Sequence, residues 1–111
     1  MLTAGGATSK FPMLSLKASA YCDAFGTIIK QQNVASITRS TAGVYAVVFT
    51  VAMADANFFI DLKFNWRGSS GSATPQPAMS MTAVSAAGFQ LNLYNITTAQ
   101  DWGNLYMEVY D

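Results

Sequence analysis

A chain of 111 residues with six basic and six acidic side chains, at zero formal net charge, has the length of one domain and can bury a core without disulfides or metal. The charges are scattered, so the clustered Lys and Arg that bind phosphate are missing, and neither a nucleic-acid partner nor a polybasic membrane contact is expected. Charged residues are 11% and apolar residues 51% of the chain, against about a quarter charged in ordinary domains; this excludes disorder and implies that copies of the same chain cover part of the surface.

Residues 1–15 read as an N-terminal arm, since "AGGATS" is flexible and Pro12 follows Phe11. A basic region ahead of an apolar one is lacking, and Lys10 and Lys17 interrupt the stretch, so a signal peptide is not expected. No window approaches the roughly eighteen apolar residues of a membrane span, so membrane insertion is not expected. Residues 16–111 then read as one domain of strands and turns. "KASAYC" alternates Ala18, Ala20 and Cys22 against Ser19 and Tyr21, and "GTIIKQ" and "VASITR" read as short strands. Val34 and Ile37 are three apart, a spacing that a strand bulge explains as well as a helical turn does. "STAG" offers Gly43 for a turn with positive φ.

"GVYAVVFT" is unusual, because Tyr45, Val47 and Phe49 fill one face of the strand and Val44, Ala46 and Val48 fill the other. A strand with one wet face would alternate apolar with polar. In "NFFIDLKFNW", Phe58, Ile60, Leu62, Phe64 and Trp66 share one face, at period 2 and not 3.6. "RGSSGSATPQPA" is the longest loop; "MSMTAVSA" and "GFQLNLYN" form a hairpin around "AAG". "ITTAQDWG" reads as a connection, and "NLYMEVY" closes the chain as an alternating strand. Seven or eight short strands without a helical pattern predict an all-β antiparallel β-sandwich, jelly-roll or Ig-like in style.

Chemistry is sparse. The chain has no His, so Cys22 lacks a base and reads as a core thiol. The six carboxylates form no sequence-near pair for acid–base work. No catalytic residue, metal site or cofactor is expected, and no enzyme. Aromatic residues remain: Trp66, Tyr94, Trp102, Tyr106 and Tyr110 are candidates for ligand or partner contact, against the plainer reading that Trp66 and Trp102 seal the core.

The stretch Asn33–Phe59, "NVASITRSTAGVYAVVFTVAMADANFF", resembles a segment common in small structural and tail-fibre proteins of tailed bacteriophages. In that family an Asn-Val-x-Ser-Ile/Val run and a loop precede Gly-x-Tyr-x-Val-x-Phe, then a Met-x-Asp-Ala-Asn-aromatic turn. The matching positions are Asn33, Val34, Ser36 and Ile37; Gly43, Tyr45, Val47 and Phe49; and Met53, Asp55, Ala56, Asn57 and Phe58. The family's Phe-Asn/Asp-Gly turn is departed from, because Phe25 directly precedes Gly26. The clear match covers about a quarter of the chain. The resemblance implies a β-sandwich virion component, made in the bacterial host's cytoplasm, with Tyr45 and Phe49 in the core and Asp55 and Asn57 in a turn. It carries no catalytic residue.

The leading expectation is a self-assembling structural protein of tail or fibre, with a trimer as the expected copy number and other virion proteins as partners. Val44, Ala46, Val48 and Phe11 are its candidate interface residues, with coverage of that face by the chain's own arm as the fallback. A tip that binds a host-surface glycan or receptor, or a capsid decoration protein, is the alternative.

Overall fold

The structure, a computed structural model, describes residues 14–65, 77–95 and 98–111. Among them are nine strands and no helix: β1 Leu16–Cys22, β2 Ile28–Gln32, β3 Val34–Thr41, β4 Val44–Phe49, β5 Phe59–Phe64, β6 Pro77–Ser85, β7 Gly88–Asn95, β8 Thr98–Ala99 and β9 Leu105–Tyr110. They form two antiparallel sheets packed together, the sandwich that the alternation in the sequence predicts, and the sheets are ordered β2-β1-β9-β5 and β3-β4-β7-β6. The ninth strand is β8, a two-residue pairing with Tyr94 and Asn95 inside the stretch read as a connection.

Alternation places the core. On β9, Leu105, Met107 and Val109 are fully buried while Tyr106, Glu108 and Tyr110 are half-buried on the other side. On β4, Tyr45, Val47 and Phe49 are buried and Ala46 and Val48 are exposed. Small residues Ala18, Ala20 and Cys22 line the inner side of β1, which leaves room for Met107 and Val109 beside them. Phe49, Phe58 and Phe89 meet with centroids 5.4–5.9 Å apart, in edge-on and tilted geometries that aromatic pairs prefer. Gly88 lets β4 and β7 meet closely, since a Cβ there would fall 2.1 Å from the Val47 carbonyl oxygen.

The spacing of Val34 and Ile37 is a bulge: the β3–β4 register shifts between Val34 and Ser36. Where the chain crosses from β2 to β3, Asn33 adopts φ +58°, a left-handed conformation Asn tolerates. Its amide donates to the carbonyls of Lys17 at 3.1 Å and Val51 at 3.0 Å, and its Oδ1 accepts from Val51 N–H at 2.7 Å. Asp55 turns the chain after β4 by accepting from Asn57 N–H at 2.8 Å, an Asx-turn. The turn after β1 is held by Asp23, whose Oδ1 accepts from the N–H groups of Phe25 and Thr27.

Candidate functional site

Asp101 is the polar centre of the molecule. Its Oδ1 accepts from Gly43 N–H at 2.7 Å, from Arg39 Nε at 3.0 Å and from the Tyr45 hydroxyl at 3.0 Å. Its Oδ2 takes Arg39 through Nε at 3.0 Å and through a terminal guanidinium nitrogen at 2.7 Å, a two-pronged ion pair. The Tyr45 hydroxyl also lies 2.7 Å from the Ala24 carbonyl oxygen, so one proton serves two acceptors. Burial pushes the Asp101 carboxyl up, but the bonds from Arg39, Gly43 and Tyr45 outweigh it and hold the carboxyl below its ordinary value. Burial first, then the bond to Asp101, raises the Tyr45 phenol. A general base needs a free lone pair and a pKa near neutrality; Asp101 offers neither. It is a clasp that ties the β3–β4 turn to the chain ahead of β9.

Gly43 is essential to that clasp. It holds φ +76°, and a Cβ would meet the Leu93 carbonyl oxygen at 2.4 Å. Cys22 is buried, and burial, aided by the Asp23 charge, raises its thiol to about 11, which leaves it protonated and inert.

The two outer sheet faces differ in kind. Every strand of the four-stranded sheet carries charge: Lys17 on β1, Lys30 on β2, Asp61 and Lys63 on β5 and Glu108 on β9. On the strands of the five-stranded sheet Arg39 is the one charged residue among those described, and it turns to Asp101. The outer side of that sheet therefore presents Val44, Ala46 and Val48 beside Gln90 and Asn92, with Ser80 and Thr82 beyond. Asn92 is only 7% exposed because its amide bonds Thr82 Oγ1 at 3.1 Å and its Oδ1 accepts from Gln90 at 2.9 Å. A hollow of about 250 Å³, floored at Gly88 and lined by Ala46, Val48, Ala83 and Ala87, indents the face.

The four-stranded sheet presents rings instead. Tyr106 and Tyr110 stand on its outer side, as their alternation on the closing strand predicts. The register adds Tyr21 opposite Tyr106 and Phe59 opposite Tyr110. Lys63 bridges Asp61 at 2.9 Å and Glu108 at 3.4 Å and lies 5.9 Å from the Tyr106 ring centre. At one end a cleft of about 140 Å³ is lined by Tyr21, Lys63, Phe64, Asn65, Asn104 and Tyr106.

The remaining predicted residues fall elsewhere. Trp102 is 3% exposed; its indole N–H donates to the Tyr94 carbonyl at 2.9 Å and its ring lies 4.4 Å from that of Phe64. It seals the core and offers no ring to a ligand. Tyr94 lies on β7, in the other sheet from Tyr106 and Tyr110, so the aromatic candidates do not form one patch. Phe11 and Trp66 lie outside the described residues. Tyr21 and Phe59 escape sequence reading because only the strand register brings them beside β9; Asp101 escapes it because Arg39 is 62 residues away. No protein-family profile, no characterised protein and no solved structure matches this chain.

Proposed function

We propose that the protein is a non-enzymatic structural component of a bacteriophage virion, a tail or fibre β-sandwich that assembles in copies of itself. The observation that carries assembly is the outer face of the five-stranded sheet, which presents Val44, Ala46 and Val48 and no charged side chain among the described residues. An ordinary solvent face carries scattered charge, as the opposite sheet does, whereas depletion of charge marks the centre of an interface. The virion assignment rests on the resemblance of the Asn33–Phe59 segment. The motif residues keep folding roles here: Gly43 takes the turn, Tyr45 and Phe49 the core, Asp55 and Asn57 the next turn. Immunogold labelling of purified particles tests it; the account expects label on tail or fibre, and particles free of the protein refute it.

The cleft beside Tyr21 and Tyr106 favours a second reading, a tip that binds a host-surface glycan. Tyrosine rings stack on the apolar faces of sugars, and Asn65 and Asn104 line the same cleft, the Asn104 amide donating to the Tyr21 hydroxyl at 2.9 Å. A glycan array probed with the wild-type protein and with Tyr106→Ala decides it: binding lost in the variant supports a tip, and no binding by the wild type removes that reading.

A further inference from the structure

A sandwich has open strand edges that invite pairing with another chain unless something blunts them. Three of the four edges here are blunted. β2 carries Lys30, and β5 carries Asp61 and Lys63. β3 is bulged between Val34 and Ser36 and again between Arg39 and Thr41. The turn after β1 also lies against it, with Gly26 close to the Arg39 backbone nitrogen and to Ile37. The fourth edge, β6, is different. It runs nine residues, "PAMSMTAVS", without a charge, is exposed along nearly its whole length, and pairs with β7 alone among the described strands. Its register against β7 is regular from Pro77 to Thr82, and the bulge comes only after that, at Ala83 with φ +50°.

We infer that residues 78–82 of β6 pair antiparallel with the same residues of a second copy, about a two-fold axis at Ser80, so that the two five-stranded sheets become one. The sequence of the edge argues for a second copy as occupant, because it is matched in size about Ser80: Met79 and Met81 flank it, and small Ala78 and Thr82 lie beyond. Antiparallel pairing at that centre sets Met79 against the partner's Met81, and Ala78 against the partner's Thr82. The two methionines lie on the core side, opposite fully buried Leu93 and Leu91. Met79 is 40% exposed at the end of that row. A second copy would carry the row on through its own methionines and close the core laterally. On the outer side, Ser80 continues the polar row that begins at Asn92.

The seam deepens the proposed self-assembly and rests on it, yet it is a contact distinct from the Val44–Val48 face. A trimer built on the face and a dimer built on the edge are separable. The direct test is a cross-link. Directly opposed residues of an antiparallel pair have Cα atoms about 4.5–5.5 Å apart, inside the range a disulfide spans. Ser80→Cys in the full chain is therefore expected to form a dimer band of twice the 11.9 kDa chain mass on mild oxidation. Ser40→Cys, at an exposed position on β3, is the control and is expected to stay monomeric on the gel. No cross-link at position 80, or equal cross-linking at both positions, overturns the seam. Ser80→Lys gives the complementary result: it sets like charges opposite each other at an exposed position, and light scattering should show the particle mass halved while the circular-dichroism spectrum of the folded sandwich is retained. A wild-type multimer whose mass Ser80→Lys leaves intact refutes the seam alone and leaves the face contact standing. A wild-type monomer with protected amides across 78–82 assigns the edge to another part of the same chain and refutes both.

Discussion

Replacing Asp101 with Ala removes the acceptor that holds the Gly43 turn, and the cost follows from the geometry. Gly43 is buried, and its N–H donates to Asp101 at 2.7 Å. An unpaired buried donor costs about 1–3 kcal/mol. The Tyr45 hydroxyl keeps the Ala24 carbonyl at 2.7 Å, so its loss adds only about 0.5 kcal/mol. The Arg39 contact is a quarter open to water and adds little, because screened pairs contribute little. The total is about 1.5–3.5 kcal/mol, or a fall in Tm of roughly 6–15 °C for a domain of this size. Asp101→Asn retains one acceptor oxygen and should lose about half as much. The pH dependence has a definite sign. The folded carboxyl lies below its ordinary value, so its stabilisation is complete above the unfolded pKa of about 3.9 and fades as pH falls through the lower, folded value. Urea titrations of wild type and Asp101→Ala at pH 7 and at pH 3 or below should show a gap that narrows in acid. An Asp101→Ala protein within about 0.5 kcal/mol of wild type at pH 7, the ordinary effect of a surface change, refutes the clasp.

Gly88→Ala should cost about 2 kcal/mol or more by forcing β4 from β7, since the new methyl would stand 2.1 Å from the Val47 carbonyl oxygen; denaturant melts measure it, and a neutral result contradicts the close approach. Val48→Lys changes a side chain 44% exposed on the outer face, so it should leave the melting curve within about 0.5 kcal/mol of wild type while lowering the particle mass in light scattering. Unchanged assembly removes Val48 from the interface. The Cys22 thiol, buried and raised to about 11, should react with a thiol reagent at pH 8 only once the chain unfolds; rapid labelling of the native protein contradicts its placement.

The sandwich was legible because its signal is local. Tyr45, Val47 and Phe49 alternate within six residues of β4, and Leu105, Met107 and Val109 do the same on β9. Each face could be read from period 2 alone. The two apolar sides of β4 were told apart by bulk and by the resemblance, which set Tyr45 and Phe49 toward the core. The packed sheets place them there and turn Val44, Ala46 and Val48 outward. Asp101 was unreadable, because "AQDWG" looks like an ordinary turn, and its partners Arg39, Gly43 and Tyr45 lie about sixty residues back. The ring face was half read. Tyr106 and Tyr110 follow from alternation, but Tyr21 and Phe59 join them through strand register, which the hydrophobic pattern of one strand does not encode. Trp102 was open in sequence between a surface ring and the plainer core seal, because its neighbour Asp101 is polar; its bond to Tyr94 and its contact with Phe64 decide for the seal.

Light scattering of the 111-residue wild-type chain at micromolar concentration tests the central claim of assembly most directly. The account predicts a particle of two or more copies, with the mass reduced by Val48→Lys at the face and by Ser80→Lys at the edge. A clean monomer at 11.9 kDa would contradict it.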